Sequence, residues 1–181
     1  IDNNKIGLAR KICDEFYLCP KGNSKEFPIF LDKISKKVDA IFLFADEEIL
    51  NISKNFKKLK NIGKKILISD YSTINICNDK KKLENELRNV IRIPKFKKNK
   101  TNLIKPTVGR GSKNIIVLKD KKLINKFTKN NKYLVQEFIK GTEYTVDCFF
   151  EKQGLLHQYV ARERVVKKNV SIIGKVVKEN K

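Results

Sequence analysis

The stretch IKPTVGRGSKNIIV, from Ile104 to Val117, places a lysine before two glycines that flank an arginine, and ends in strand-forming residues. A lysine beside glycines suggests a loop that holds phosphate groups. In the P-loop, however, the lysine follows the last glycine and a helix follows the lysine. Here Lys105 comes first and a strand comes last. The stretch therefore does not match a P-loop, and its order places a flexible glycine-rich turn between the lysine and a strand.

The composition is that of a globular chain. At 181 residues and 40% apolar content, it can form one larger domain or two small ones with an ordinary core. No run of about 18 apolar residues could span a membrane, and the first residues lack the charged and apolar regions of a signal peptide. We expect a cytoplasmic protein without membrane contact.

The four cysteines, Cys13, Cys19, Cys77 and Cys148, show no CxxC pair or other spacing typical of metal ligands. A domain of this size needs no disulfides to be stable. We expect reduced thiols that are mostly buried.

The net charge of +21 requires that nucleic-acid binding be considered, because a basic surface attracts polyanions. The chain has 35 Lys and 6 Arg, and the lysines are scattered through every segment. Proteins that recognise bases in the DNA grooves favour Arg, Asn and Gln, and proteins that bind single strands interleave aromatic with basic residues. Neither arrangement occurs in this sequence. The densest run, KFKKNK at Lys95 to Lys100, has one Phe and is interpreted as a solvated connector. A nucleic-acid-binding module remains the alternative.

The first part of the chain, residues 1–72, alternates helical and strand patterns. Phe27, Phe30, Leu31 and Ile34 follow a helical period, and a second helix is expected to follow Asp46. AIFLF at 40–44 and KILIS at 65–69 resemble buried strands. This alternation is typical of a parallel, doubly wound sheet. We predict a Rossmann-like α/β domain that lacks its first strand and helix.

The second part, residues 73–181, changes to a mainly antiparallel pattern. Asp79 and Asp120 are positioned to cap helices, and strands are predicted in NLIKP, KNIIVL, YLVQEFI, GTEYTVDCFF and LLHQYVARERVV. The last two strands are joined by a hairpin near Gln153 and Gly154. By the period of two, Glu143, Thr145 and Asp147 share one strand face. The pattern predicts a partial α+β domain.

Several of these motifs together carry a family resemblance. NDKKKL, IKPTVGRGS, VQEFIKGTEYTVD and RERV occur in the order and rough spacing of the ATP-grasp superfamily. The chain most resembles the ATP-grasp part of the carbamoyl-phosphate synthase large chain and related carboxylate–amine ligases. FADEEI at Phe44 to Ile49 resembles the Rossmann-like domain that precedes the grasp in that family.

The resemblance implies a set of nucleotide contacts. Lys105 looks like the strand lysine that meets the phosphates, since a compact ammonium neutralises charge without bidentate geometry. Lys80 is similar in position to the first basic nucleotide contact, although a lysine at a helix start is most often solvated. The lid residues implied to cover the β- and γ-phosphates are Gly109, Arg110, Gly111 and Ser112.

The resemblance also implies an adenosine site and an acceptor site. Glu137, Phe138 and Ile139 look like the segment whose backbone bonds the adenine edge, and Glu143 like the acceptor of the ribose hydroxyls. Arg162 and Arg164 resemble the arginine pair that faces the substrate or the transferred phosphoryl group. A solvated edge strand explains these two arginines equally well.

By its resemblance, the chain is the ATP-binding part of a ligase that activates a small carboxylate as an acyl phosphate for attack by an amine or ammonia. ATP and Mg²⁺ are the implied cofactors, with the Mg²⁺ ligands expected beyond Lys181. We therefore predict a truncated chain, completed by a second polypeptide or by an oligomer. A catalytically silent homologue is the further alternative.

Overall fold

The computed structural model describes residues 1–62, 65–97, 100–151, 153–168 and 170–177. The chain forms two compact units, residues 1–85 and 86–181. The sequence patterns predict a domain boundary between residues 72 and 73. The helix Tyr71–Asn78 packs against the helix Asp46–Asn55 and so belongs to the first unit.

Five α-helices lie in the described part of the chain: α1 Glu26–Ile34, α2 Asp46–Asn55, α3 Tyr71–Asn78, α4 Lys80–Leu87 and α5 Lys121–Thr128. Short 3-10 helices span Leu8–Lys11, Ser35–Lys37 and Phe56–Lys58. The predicted caps of α4 and α5 are confirmed. The Asp79 carboxylate accepts from the N–H groups of Lys81 and Lys82, and Asp120 caps α5 in the same way.

The core of the first unit includes the predicted apolar face of α1 and residues of α2. Phe27 and Leu31 of α1 and Ile52 of α2 are buried, together with Ile62. Ile41 and Ile66 complete this core, and a parallel bridge joins them. The N–H of Ile41 donates to the Lys65 carbonyl at 2.7 Å.

The two segments predicted as buried strands are buried on one side only. Ile41 and Ile66 point into the core, but Phe42, Phe44 and Leu67 are 69%, 89% and 85% exposed. Within the described residues, a single bridge links the two segments, so they do not form a continuous ladder. Helices α1 and α2 cover only one face of these segments, so the alternate residues are exposed to solvent.

The cysteines are free, as predicted, but the expectation of mostly buried thiols is wrong. Cys19 is buried in the first unit's core, whereas Cys13, Cys77 and Cys148 are exposed. Burial and the nearby Glu48 carboxylate raise the pKa of the Cys19 thiol.

The second unit begins with an antiparallel sheet of order β2-β1-β3, built from β1 Asn102–Pro106, β2 Ile116–Leu118 and β3 Tyr133–Glu137. Ile104 of β1 lies opposite Val135 of β3, and both pack against Ile124 of α5. Helix α5 therefore covers one face of this sheet. The opposite face carries the residues that alternate with Ile104 and Val135.

A second antiparallel sheet has the order β4-β5-β6, with strands Tyr144–Phe150, Leu156–Lys168 and Val170–Val176. The predicted hairpin between β4 and β5 is confirmed, with Gly154 at φ 81° and the N–H of Glu151 bonded to the Leu155 carbonyl. Strand β6 was not predicted, because it follows β5 without a glycine or proline signal. The charged segment at Glu179 and Asn180 lies outside the described residues.

In neither unit does a described helix have the length and apolar character needed to cross a lipid bilayer. The fold is a mixed α/β arrangement in which both sheets of the second unit are antiparallel.

Candidate nucleotide-binding site

The site is built on the face of the first sheet that α5 leaves open. Leu103 lies opposite Gln136, and Lys105 lies opposite Leu134, in the antiparallel register of β1 and β3. Because successive side chains alternate between faces, Leu103 and Lys105 are on the side away from Ile104 and the α5 core. Lys105 thus lies on a strand, as predicted, and the structure places it on the open face of the sheet.

The lid connects β1 to β2, which pair antiparallel as predicted. Four of its residues have positive φ: Gly109 at 145°, Gly111 at 63°, Ser112 at 55° and Asn114 at 59°. Non-glycine residues rarely adopt such angles. The backbone of the lid is therefore wound into left-handed turns, in which successive N–H groups can form a concave anion-binding surface.

A cavity of about 810 Å³ opens between the sheet face, the lid and the segment after β3. Its lining residues are Pro94, Leu103, Lys105, Ser112, Ile115, Gln136, Glu137, Phe138, Ile139, Lys140, Gly141, Thr142, Glu143 and Arg164. Lys105 and Ser112 lie at the same cavity as the segment from Glu137 to Ile139. The fold therefore gathers predicted phosphate and adenosine contacts around one space.

The segment after β3 presents only part of its backbone to the cavity. The N–H of Glu137 donates to the Lys95 carbonyl at 3.0 Å, and that of Phe138 donates to the Thr101 carbonyl at 2.9 Å. The N–H of Ile139 makes no hydrogen bond to any residue that the structure describes. Of these three N–H groups, that of Ile139 is the one available to a ligand.

The two predicted arginines are paired with the acidic face of β4. Arg162 contacts the Asp147 carboxylate, with Nε at 2.8 Å from Oδ2, and Arg164 forms an ion pair with Glu143. The hairpin register places Thr145 opposite Arg162, which brings the acids and the arginines onto one face. Neither acid was predicted to pair with an arginine, since the register could not be derived from the strand periods alone.

One atom of this network is left without an acceptor. The Nε of Arg164 is buried and has no hydrogen-bond partner among the described residues, although Arg164 lines the cavity. A buried donor without an acceptor costs free energy, and a bound anion would satisfy it.

Other predicted residues lie away from the cavity lining. Gly109, Arg110 and Gly111 belong to the lid, where Arg110 is exposed. Lys80 starts α4 and belongs to the first unit, so its nucleotide contact stays a prediction. Arg162 pairs with Asp147 and does not line the cavity.

Several lining residues were not predicted. Leu103 could have been found, because it lies two residues before Lys105 on the same strand face. Gln136 lies opposite Leu103 on the neighbouring strand. Gly141 and Thr142 follow the predicted segment, and Gly141 has φ 154°, which favours glycine. No sequence signal marks Pro94 or Ile115 as lining residues.

Metal ligands are a separate matter. Across the described ranges of the chain, His, Cys, Asp and Glu form no group of three or more that could hold a metal ion. The Mg²⁺ implied by the family resemblance, with its ligands expected beyond Lys181, stays a prediction.

The lysine strand, the positive-φ lid and the shared cavity agree with a comparison of the sequence to known families. The model of the ATP-grasp domain family matches residues 77–181. The chain belongs to the ATP-grasp family. The carbamoyl-phosphate synthase-like subtype stays a prediction.

A solved structure shows the same fold. The crystal structure of an L-amino acid ligase from Bacillus licheniformis superimposes with a TM-score of 0.61 at 15% sequence identity. The match covers 90% of this ATP-grasp chain and 43% of the ligase, so the chain spans less than half of that protein. Among curated proteins, no sequence matches this chain significantly.

Proposed function

We propose that this chain is the nucleotide-binding part of an ATP-grasp ligase that activates a carboxylate as an acyl phosphate for attack by an amine or ammonia. The observation that carries the proposal is that one cavity is lined by Lys105, Ser112, the Glu137–Ile139 segment, Glu143 and Arg164. Each of these residues supplies a different part of a nucleotide site.

The phosphate end of the site lies at Lys105 and the lid. The ammonium of Lys105 offers compensating charge on a rigid strand, and Ser112 offers a hydroxyl from the lid. The left-handed turns at Gly111 and Ser112 suit the close approach of backbone N–H groups to phosphate oxygens. Closing of the lid would exclude water from the phosphates.

The adenosine end lies at the segment after β3. Phe138 and Ile139 supply apolar surface for the base, and the available N–H of Ile139 can donate to an adenine ring nitrogen. Glu143 lines the same cavity, and its carboxylate can accept from the ribose hydroxyls while it pairs with Arg164.

In such a ligase the carboxylate takes the terminal phosphoryl group of ATP, and the amine then displaces phosphate from the acyl carbon. Arg164 fits a role at this step, because its buried Nε can donate to a carboxylate or phosphoryl oxygen at the cavity wall. Arg162 would act from the same strand face only if its pairing with Asp147 opened.

The first unit and the length of the chain support two further parts of the proposal. Two parallel bridges, Asp2 with Leu18 and Ile41 with Ile66, support a Rossmann-like assignment for the first unit. The coverage of 43% of the neighbouring ligase supports a function that depends on a further segment, a second polypeptide or an oligomer.

A binding experiment tests the nucleotide site directly. Mg-ATP at about a hundred times its dissociation constant should raise the free energy of unfolding by roughly 2.7 kcal/mol. Lys105→Ala should lose most of this stabilisation. Lys113→Ala removes the same charge from an exposed lid position that does not line the cavity, and it should keep the stabilisation.

If Mg-ATP leaves the melting temperature of the wild type and of both variants unchanged, the proposed nucleotide site does not exist in this chain. Binding without turnover in the presence of amine and carboxylate panels would be compatible with an incomplete or a silent ATP-grasp protein. If the gene continues beyond Lys181, co-expression of that segment separates these two, since only an incomplete enzyme would gain activity.

A further inference from the structure

A second cavity, of about 240 Å³, lies in the second unit beside the nucleotide cavity. It is lined by Arg88, Ile91, Arg92, Ile93, Lys95, Lys97 and Glu137. Four of these seven side chains are cationic and one is a carboxylate, so the lining carries a net charge of +3. Glu137 also lines the nucleotide cavity, so the two spaces share a wall.

Two arginines distinguish the lining of this cavity from the rest of the basic surface, which is mainly lysine. Lysine supplies 35 of the 41 basic residues, so a lysine at any surface position carries little information. Only 6 arginines occur in the whole sequence, and Arg88 and Arg92 both line this one small space. Arginine offers a planar fork that matches phosphate oxygens, whereas lysine acts as a point charge.

These cationic groups are not neutralised by neighbours. Within the part of the chain that the structure describes, no ion pair or hydrogen bond is made by the side chains of Arg88, Arg92, Lys95 and Lys97. The arginine pair on β5 behaves differently, because both of its members face carboxylates. Four cations and one carboxylate line this small space, so repulsion between the cations is only partly offset, and a bound anion would relieve it.

The connector that carries the lysines is fixed to the sheet. The fully buried Asn102 donates from Nδ2 to the carbonyls of Lys97 at 2.9 Å and Lys100 at 2.7 Å, and accepts from the Lys97 N–H. The Lys95 carbonyl accepts from the Glu137 N–H at 3.0 Å. The basic connector is thus held against β1 through Asn102 and against β3 through Glu137.

We propose that this second cavity is a binding site for a small anion bearing phosphate groups, distinct from the nucleotide phosphates held by Lys105. The small volume and the absence of aromatic side chains among the described lining residues favour a compact phosphate compound over single-stranded nucleic acid, which needs stacking platforms. The proposal is independent of the ligase activity proposed above.

Inorganic pyrophosphate is the probe, titrated at constant ionic strength into ¹⁵N-labelled protein and followed by NMR and calorimetry. We expect saturable shifts at the amides of residues 88–93 and 95–97 and of Glu137. The Arg88→Gln/Arg92→Gln variant should bind at least about tenfold more weakly at this site, since two charge-assisted contacts are lost. Lys126→Gln/Lys129→Gln removes the same charge from exposed positions on and after α5, and it should bind as the wild type does.

Two of the variants distinguish the two cavities. Lys105→Ala should retain pyrophosphate binding at residues 88–97, and Arg88→Gln/Arg92→Gln should retain binding of Mg-ATP. If the double variant does not fold, Arg92→Lys keeps the charge, removes the fork, and should give an intermediate loss of affinity.

Other results would overturn the proposal. Shifts that spread over all basic residues without saturating would show ordinary counterion binding to a highly charged chain. Equal weakening by the two double variants would show the same. Tighter binding of a short oligonucleotide than of pyrophosphate at these residues, retained at about 0.2 M salt, would assign the surface to nucleic acid instead.

Discussion

Arg164 of β5 forms an ion pair with Glu143, which lies just before β4, and both residues line the nucleotide cavity. The pair crosses between adjacent strands of the second sheet, where the Arg164 N–H also donates to the Glu143 carbonyl at 2.8 Å. Glu143 is therefore held in place by the neighbouring strand through both its side chain and its backbone. A carboxylate fixed in this way is suited to accept two hydroxyls of a ribose.

Glu143→Gln tests this role. The amide keeps the shape of the side chain but loses the charge, so ATP affinity should fall by about tenfold, as expected for one weakened hydrogen bond to a charged group. If Glu143 contacts the ribose, dideoxy-ATP should lose affinity in the wild type but much less in the variant. Titration calorimetry with the two nucleotides measures both effects.

Asp147→Asn is the matched control, because Asp147 pairs with Arg162 on the same strand face without lining the cavity. It should leave ATP affinity within about twofold. Equal losses in both variants would mean that the arginine network, and not a ribose contact, determines the nucleotide affinity.

A glycine of the lid provides a conformational test. Gly109 has φ 145°, and a Cβ there would lie 3.9 Å from Pro106 Cβ, so space is available but the backbone angle is unfavourable. Gly109→Ala should lower the free energy of unfolding by about 1–3 kcal/mol through backbone strain. Urea unfolding followed by circular dichroism measures the change.

Gly174→Ala in β6 is the comparison, because its φ is not in the positive range and its Cβ would meet ordinary contacts at 3.6 Å or more. It should change stability by less than about 0.5 kcal/mol. A Gly109→Ala protein as stable as the wild type would show that the lid adopts another backbone conformation in solution.

The lysine–lid–strand order was predictable because each of its signals is local. Lys105, the glycines and the β-branched residues that follow lie within one short stretch, and strand pairing needs only that the chain turn back. The helix caps at Asp79 and Asp120 were predictable for the same reason, since a cap acts within three residues.

Other features depend on contacts that sequence patterns do not contain. The pairing of Arg164 with Glu143 depends on the hairpin register, which includes an irregularity between Phe149 and Phe150. The burial of Asn102 could not be predicted in a chain where asparagine is common. The exposure of Phe42 and Phe44 depends on which face the helices cover, and residue type alone does not determine that.

Lys65 supplies a stability test in the first unit. Its ammonium donates to the carbonyls of Ser35 at 2.9 Å and Val38 at 2.8 Å, where the chain leaves the short helix after α1. Lys65→Met leaves these acceptors without their donor and should cost about 2 kcal/mol of unfolding free energy. Lys57→Met, at an exposed position, should cost less than about 0.5 kcal/mol in the same urea titration.

The pH dependence of stability should reflect Asp32. Burial alone raises the pKa of this carboxyl, but hydrogen bonds from the N–H and Nδ2 of Asn61 and from the N–H of Ile62 outweigh it. The folded pKa therefore lies below the ordinary 3.8, so the stabilisation is complete above that value and is lost as the pH falls below it.

Asp32→Asn should destabilise the protein near neutral pH and make its unfolding free energy less dependent on pH in the acid range. Urea unfolding at a series of pH values measures this slope. Asp39→Asn, at an exposed position, controls for the loss of one negative charge. A slope in Asp32→Asn equal to that of the wild type would assign the acid sensitivity to other carboxyls.

Asn102 links the stability of the second unit to the second cavity. Asn102→Ala removes three hydrogen bonds between β1 and the connector and should cost about 3 kcal/mol, at roughly 1 kcal/mol for each bond. Because these bonds hold Lys97 in place, hydrogen exchange at Lys95, Lys97 and Glu137 should accelerate and pyrophosphate should bind more weakly. Asn125→Ala, on the exposed face of α5, should change neither property. Lower stability with unchanged pyrophosphate affinity would show that Arg88 and Arg92 bind the anion without the connector.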